Sequence, residues 1–330
     1  MCDEYFSLNR ISDNEFLELK KSYEIQQKKY KDSFLFHVGV GAGFYSEVGG
    51  MLEAMMYSYY RQFRFVLYAD DANFTNNNGW TALFEEFCEM NHSKLNIHAN
   101  NRGFQGGKIK VTLQNIMNIV LKVTSGCRYT TRDWWLILIG AKFKETVIDW
   151  DIFDIHGTVR NEYAKLSKLA IRYNTYTWNK MVETVNNLKL PSSYISVHLR
   201  GGDKIMEIEE LISVETCISV VEQTCKNITN IFVFTDDYGN VEELYKKRPN
   251  WNIYTLTKPE EKGYYNHRFN ECSWSYKRDN LIKLFTIVEI CIGSQIHYGD
   301  EFSCVNNFIY SRKIPGHYIS LRQECVGDHE

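Results

Sequence analysis

The sequence predicts an α/β protein built from two Rossmann-like domains that face a cleft. An apolar run at residues 34–38 is followed by a glycine-rich turn, a helical pattern and a second apolar run at 63–68. This order is typical of a βαβ unit with parallel strands. Strand-like and helix-like segments alternate again in the second half. All four prolines lie in that half, and the first of them, Pro191, marks the boundary between predicted domains 1–190 and 191–330.

The first half begins with a polar helical segment that has no charged-then-apolar signal pattern. Residues 34–38 form the first predicted strand, and the turn GVGAG occupies residues 39–43. Apolar side chains then recur at helical spacing over 51–59, before the second strand. Residues 159–188 are polar with apolar side chains at helical spacing, which predicts a long connecting helix.

The second half repeats this alternation. The predicted strands are 194–199, 231–234, the segment WNIYTL and the segment SQIHYGD, and the predicted helices are 214–225, 242–247 and 278–291. Ligands of such sheets bind beyond the carboxyl ends of the strands, so we expect functional side chains there.

Composition narrows the class of protein. The chain has 38 Lys and Arg against 41 Asp and Glu, a net charge of −3, which argues against a nucleic-acid partner. Its 44% hydrophobic content indicates a folded protein. No apolar run approaches the roughly 20 residues that span a bilayer. The nine cysteines form no CxxC pair, which favours free thiols in a reducing compartment. We therefore expect a cytoplasmic protein with no membrane span.

One segment, ISVHLRGGDKIMEIEEL, concentrates polar side chains at the end of an apolar strand, namely His198, Arg200, Asp203 and Lys204. Arg200 offers a planar pair of donors to a diphosphate, and the glycines after it let the backbone approach. Lys204 adds a point charge. A strand-end network of ion pairs explains the same residues equally well. In it, Arg200 and Lys204 neutralise the acids Asp203, Glu207 and Glu209.

The pattern His-x-Arg-x-x-Asp-Lys after an apolar strand resembles the signature of fucosyltransferases that bind GDP-fucose. These are the α-1,6-fucosyltransferases of N-glycan cores and nodulation factors and, more distantly, the protein O-fucosyltransferases. The resemblance implies a GT-B fold, an acceptor-side first domain and a second domain that binds the nucleotide sugar. It implies that Arg200 contacts the β-phosphate and stabilises the leaving diphosphate without a metal. His198 would shape the turn, and Asp203 and Lys204 would complete the donor site.

Further segments resemble the same family. IFVFTDDYGNVEEL is similar to its second nucleotide-domain segment, which would place Asp236 and Asp237 near the guanosine. Ser303 falls where the family serine approaches the phosphates, although the surrounding GDEFSCVN departs from the usual Ser-Asn pair. GVGAGFYSE resembles the first glycine loop, which faces the acceptor.

Inverting sugar transfer also needs a base that takes a proton from the acceptor hydroxyl. The candidates are Glu47, in the glycine loop, and Glu207. The family's catalytic glutamate corresponds in position to Ile208 here. Glu47 could instead stabilise a helix N-terminus, and Glu207 could lie on a solvated helix face, so both alternatives stay open.

The expected function is an inverting, metal-independent transfer of L-fucose from GDP-fucose to a glycan hydroxyl. The expected partners are a nucleotide-sugar donor and an oligosaccharide or glycoconjugate acceptor. Two alternatives remain open, namely a glycosyltransferase that uses another nucleotide sugar and a non-catalytic protein that binds a glycan or nucleotide on the same fold.

Three other patterns weigh less. Asp149-Trp-Asp151 is similar to the Asp-x-Asp metal site of the other glycosyltransferase architecture, or else is a solvated turn. The turn at 39–43 lacks the third glycine of a dinucleotide fingerprint at the proper offset. Residues 264–279 form a predicted polar, aromatic loop that binds the donor base or an acceptor sugar, or else only packs on itself.

Overall fold

The computed structural model describes residues 5–100, 108–139, 142–202, 211–225, 229–314 and 316–322. They form two compact units. The N-terminal unit is Arg10–Tyr176, and the C-terminal unit comprises the described residues of Met1–Asn9 and Thr177–Glu330. The predicted boundary near Pro191 stays a prediction.

The N-terminal unit contains six helices and six strands within the described residues, and α7 begins at its end. The helices are α1 Asp13–Gln27, α2 Phe44–Tyr60, α3 Lys108–Ser125, α4 Thr131–Ile139, α5 Val159–Glu162 and α6 Ser167–Ala170. The strands are β1 Ser33–His37, β2 Arg64–Tyr68, β3 Glu89–Met90, β4 Tyr129–Thr130, β5 Val147–Trp150 and β6 Ile155–Thr158.

The remaining described elements belong mainly to the C-terminal unit. Its helices are α7 Thr175–Leu188, α8 Val214–Thr224, α9 Tyr238–Lys247, α10 Asn266–Glu271, α11 Trp274–Gly293 and α12 Cys304–Arg312. Its strands are β7 Ile195–Leu199, β8 Asn230–Thr235, β9 Asn252–Tyr254, β10 His297–Gly299 and β11 Tyr318–Ser320. The strands predicted from apolar runs are therefore present, with ends shifted by a few residues.

Each unit has a parallel sheet of the doubly wound type. The N-terminal order is β3-β2-β1-β4 and the C-terminal order is β11-β10-β7-β8-β9, with every pairing parallel. In both sheets the first strand, β1 or β7, lies inside the sheet. The next two strands add to one side of it, and the fourth strand, β4 or β10, pairs with its opposite side. Strands β1 and β7 are buried along their whole length, as expected for parallel strands covered on both faces. The prediction of two Rossmann-like domains is confirmed.

Rings fill the core of the N-terminal unit, which accounts for much of the aromatic content. Phe34 at the centre of the sheet contacts five other rings with centroids 6.1–6.5 Å away. Trp134 is fully buried in α4. The C-terminal core is more aliphatic, with Val197 and Val233 paired across β7 and β8.

Two predicted segments fold differently. The long helix expected over 159–188 is interrupted, because the chain at 172–174 pairs with the segment that follows Trp80. There Glu85 N donates to Arg172 O at 2.7 Å and Asn174 N donates to Leu83 O at 3.1 Å. These bonds take the backbone out of the helical path.

The predicted loop at 264–279 is largely helical. Residues 266–271 form α10, and Ser273 then caps α11 by accepting a hydrogen bond from Tyr276 N. This Ser-initiated helix start outweighed the polar, aromatic composition on which the loop prediction depended.

No helix among the described residues is long and apolar enough to cross a membrane. All seven cysteines in the described part of the chain are free thiols, and four of them are buried, namely Cys88, Cys127, Cys217 and Cys291.

Candidate functional site

The C-terminal sheet reverses its direction of growth between β7 and β10. In doubly wound sheets the crevice at the carboxyl ends of two such strands is where ligands bind. The segment after β7 is Arg200–Gly202, and the segment after β10 leads through Ser303 into α12. Sequence-predicted residues from two distant segments therefore meet at one sheet edge.

A buried polar cluster joins these two segments. Asn306, in the first turn of α12, lies with its Oδ1 2.9 Å from Nδ1 of His198 and 3.1 Å from Nε2 of His297. Its amide nitrogen donates to the carbonyl oxygen of Asp300 at 2.8 Å, so Oδ1 is the acceptor for both rings. His198 therefore carries its proton on Nδ1, and His297 carries its proton on Nε2.

Both imidazoles are held neutral. Burial lowers the pKa of His198 and of His297 to about 3, because the charged form would lose its hydration. His198 also stacks on Phe234 with ring centroids 3.8 Å apart and planes 6° from parallel. The His198 ring is thus fixed in orientation and in tautomer, two residues before Arg200.

A carboxylate closes the loop after β7. Asp236 accepts hydrogen bonds from Gly201 N at 2.7 Å and from Tyr264 N at 2.9 Å, one at each oxygen. Gly202 has φ +60°, and a Cβ there would lie 2.2 Å from the carbonyl oxygen of Tyr264. Only glycine fits this contact, which clamps the Arg200 loop to the segment before α10.

The other predicted aspartate has a different local role. Asp237 is the N-cap of α9, and its Oδ1 accepts from Gly239 N at 2.8 Å. Both aspartates after β8 thus hold backbone around the site. Their predicted proximity to a guanosine stays a prediction.

Ser303 presents a polar atom without a partner. Its side chain is 2% exposed, and its hydroxyl oxygen has no hydrogen-bond partner in the described part of the chain. It is the N-cap of α12, yet it makes no side-chain capping bond. The first-turn amides of a nine-residue helix and a buried hydroxyl therefore converge where an anion is favoured.

One of the two acids in this loop is paired with an arginine, while the other, Glu301, is exposed. Asp300, which follows β10, accepts two hydrogen bonds from Arg322, at 2.9 and 3.1 Å. This pairing lowers the pKa of Asp300 despite the opposing effect of its partial burial. Arg200 itself is half-buried at the end of β7. Among the described residues around the site, Asp236, Asp237 and Asp300 are each engaged by a described partner.

Three predicted residues, Asp203, Lys204 and Glu207, lie outside the described residues. Their predicted roles in donor binding and proton transfer stay predictions.

In the N-terminal unit, Glu47 closes the glycine loop. This buried carboxylate accepts from Gly39 N at 3.1 Å and from Ala42 N at 3.0 Å, one at each oxygen. Gly39 has φ +85°, and a Cβ there would lie 2.5 Å from that of Ala72. Glu47 therefore has a structural function in the loop, and its predicted role as a base stays a prediction.

The Asp-x-Asp pattern lies on the hairpin of β5 and β6. Asp149, Asp151 and His156 present donor atoms within 4.8 Å of one another, and all three residues are exposed. His156 Nδ1 lies 2.5 Å from Asp149 Oδ1. These residue types can hold a divalent ion, although exposed acidic groups of this kind are common without one.

Sequence reasoning missed Asn306 and His297. Asn306 stands three residues after the helix-capping Ser303, and His297 interrupts an apolar strand, so each carried a weak local signal. The position of Asn306 also requires a glycine at residue 299, since a Cβ there would lie 2.7 Å from Cγ of Asn306.

No protein-family model matches the sequence, and no curated protein matches it in sequence. Among solved structures, the α-1,6-fucosyltransferase NodZ soaked with GDP-fucose is similar over 86% of this chain and 93% of its own, with a TM-score of 0.50 and 11% identity. NodZ from Bradyrhizobium gives a TM-score of 0.50 and 11% identity over 84% and 92% of the two chains. POFUT1 in its apo form gives a TM-score of 0.46 and 9% identity over 88% of this chain and 97% of its own. The chain therefore has the GT-B-like α/β fold of NodZ, as the Arg200 motif predicted.

Proposed function

We propose that this chain is an inverting, metal-independent glycosyltransferase that moves L-fucose from GDP-fucose to a hydroxyl of a glycan acceptor. The observation that carries the proposal is the buried, unpartnered hydroxyl of Ser303 at the N-terminus of α12. The His198–Asn306 bond ties this helix to the loop of Arg200. The shared fold with NodZ, which was solved after soaking with GDP-fucose, supports the choice of donor.

The site suits a diphosphate leaving group. Arg200 supplies a planar pair of N–H donors, Ser303 supplies an O–H donor, and α12 supplies main-chain amides. Such donors stabilise charge as it develops on the departing phosphate oxygen, which is the largest single contribution in many enzymes. The neutral His198 adds no repulsion toward Arg200.

The reaction breaks the bond between C1 of fucose and the β-phosphate oxygen, and its electron pair leaves with GDP. The acceptor oxygen forms the new bond to C1 from the opposite face and gives its proton to a base. Inversion at C1 leaves an α-linkage. Glu47 and Glu207 are the candidate bases, and both oxygens of Glu47 are already engaged by loop amides.

The first test is a thermal-shift series with GDP, UDP and GDP-fucose, each with and without EDTA. Specific ligands raise the melting temperature by mass action. We expect GDP and GDP-fucose to stabilise the protein, UDP to be weaker, and EDTA to change nothing. Selectivity for UDP would replace fucose with another sugar, and loss of the shift in EDTA would favour a metal role for Asp149 and Asp151.

The second test measures GDP release from GDP-fucose in the presence of a panel of glycans. Acceptor-dependent release supports a transferase. Tight GDP binding without release on any glycan would instead favour a nucleotide-binding protein that does not turn over.

A further inference from the structure

A surface pocket of about 350 Å³ lies in the N-terminal unit, and we call it the tyrosine pocket. Its lining residues are Gln26, Tyr30, Tyr59, Tyr60, Gln62, Val147, Ile148 and Asp149. Tyr30 precedes β1 and Gln62 precedes β2, so the pocket adjoins the amino ends of these parallel strands. The glycine loop follows the carboxyl end of β1. The tyrosine pocket is therefore separate from the sheet edge at which ligands of this fold usually bind.

The aromatic wall of the pocket is preformed. Tyr59 stacks on the buried Trp150 with centroids 4.2 Å apart and planes 5° from parallel. The Tyr59 hydroxyl donates to the carbonyl oxygen of Asp149 at 2.8 Å, and Trp150 Nε1 donates to Gln26 Oε1 at 2.8 Å. A ligand would meet a Tyr59 ring that is already fixed in place, which lowers the entropy lost on binding.

The charge of the lining points to a neutral ligand. Among the described residues that line the pocket there is no lysine or arginine, and there is one acid. The guanidinium of Arg61 instead lies 6.0 Å from the ring centroids of both Tyr57 and Phe63. The one lining acid, Asp149, is hydrogen-bonded to His156. The hydrogen bond to Asp149 raises the pKa of His156, so these two charges offset each other and the described lining offers no excess positive charge to an anion.

Gln62 occupies a position where glycine is usual. Phe63 N donates to Ser58 O at 2.7 Å and Gln62 N donates to Tyr59 O at 3.0 Å, the pair of bonds that ends many helices. The residue at this turn needs positive φ, and Gln62 adopts φ 57°. Glutamine is strained there. Glycine would suit this helix-ending turn better, so the turn does not explain why a glutamine stands here and lines the pocket.

We propose that the tyrosine pocket binds one neutral sugar residue, apart from any donor nucleotide. Tyrosine rings pack against the C–H face of a sugar ring, while amides and a carboxylate pair with its hydroxyl groups. The volume of about 350 Å³ lies in the usual range of small-molecule sites, about 300–1,000 Å³. The site would add a second point of contact for a glycan.

Saturation-transfer NMR with free sugars tests the proposal. The probes are L-fucose, D-mannose, D-galactose, N-acetylglucosamine and chitobiose, each measured with excess GDP present. We expect at least one sugar to give a signal that is lost in Tyr60→Ala and reduced several-fold in Gln62→Gly. Tyr245→Ala, at another exposed tyrosine (45% against 55% for Tyr60), is the matched control and should keep the signal.

Gln62→Gly separates binding from folding. It relieves the strained turn, so its melting temperature should rise while sugar binding weakens. Absence of a signal for all five sugars overturns the proposal, and so does a signal that survives both pocket variants. Failure of GDP to bind would overturn the proposed function and leave this result standing.

Discussion

The loops after β1 and β7 occupy equivalent positions in their sheets, and a carboxylate closes each of them. Glu47 binds the amides of Gly39 and Ala42, and Asp236 binds those of Gly201 and Tyr264. Glu47 comes from the helix that follows its own loop. Asp236 comes from the end of the neighbouring strand, so it also ties the loop to a second segment.

The groups beside the two loops differ in charge. The β7 loop begins with Arg200 and lies near the unpartnered hydroxyl of Ser303. At the end of β1, His37 is paired with Asp71 at 2.8 Å, and His92 is paired with Asp70 at 2.9 Å. The same arrangement of a carboxylate on loop amides thus occurs beside the proposed anion site in one unit and beside two acids in the other. Ligand chemistry is set by the flanking side chains, not by the glycine loop itself.

Replacing Arg200 should have the largest effect. Arg200→Ala removes the bidentate donor, so we expect turnover to fall about 100-fold or more. Arg200→Lys should recover only part of it, because a point charge lacks the planar fork. Steady-state GDP release measures the effect. Arg248→Ala is the control, since Arg248 pairs with Glu222 on the same unit. Unchanged turnover in Arg200→Ala would remove the basis of the mechanism.

Acid should destabilise the C-terminal unit. The pKa of His198 and His297 in the folded state, about 3, lies below their usual value, so the unfolded chain binds more protons between the two values. Their stabilisation is complete above the usual histidine pKa and is lost as pH falls toward 3. At pH 5 each of the two histidines should lower the free energy of unfolding by about 2 kcal/mol relative to pH 7.

Urea unfolding at pH 7 and pH 5 measures this change in stability. Hydrogen exchange, used as the readout, distinguishes the C-terminal unit from the N-terminal unit. His297→Gln should be less stable at pH 7 but show a flatter dependence on pH. A flat profile in the parent protein would show that the two rings are not held neutral by burial.

The two loop carboxylates should respond differently to amidation. Glu47→Gln and Asp236→Asn each replace an acceptor oxygen with an amide nitrogen. We expect each to lower the free energy of unfolding by about 1–2 kcal/mol. Asp236→Asn should also weaken GDP binding, because it loosens the Arg200 loop. Glu47→Gln should leave GDP affinity unchanged. Calorimetric titration with GDP distinguishes them, and equal loss of affinity in both variants would contradict the assignment.

Ser303→Ala should have the smallest effect and an unusual sign. It removes a buried hydroxyl that has no partner, so stability should hold or rise by up to about 1 kcal/mol. GDP affinity should fall about tenfold with the loss of one hydrogen bond to a charged phosphate. Ser311→Ala on the same helix is the control, because that hydroxyl bonds to the carbonyl of Asn307. Equal GDP affinity for both variants would place the phosphates elsewhere.

Local patterns in the sequence were enough to predict six of the nine strands in the two described parallel sheets, but not the short strands β3, β4 and β11. Apolar runs such as the strand that ends at Leu199 must be buried wherever they occur. The pairing of His198 with Asn306 joins residues 108 positions apart, and no local pattern encodes it. The break in the predicted helix at 172–174 has the same origin, since backbone bonds to a distant segment replaced helical ones.

The contact between Gly202 and Tyr264 couples the loop after β7 to the segment before α10. The amide of Tyr264 donates to Asp236, which also accepts a hydrogen bond from Gly201 N, so the two segments share one acceptor group. We therefore expect a ligand that binds Arg200 to slow amide exchange at Tyr264 and in α10 as well. The amide hydrogen of Tyr264 would then report on occupancy of the site in solution, with no label attached to the ligand.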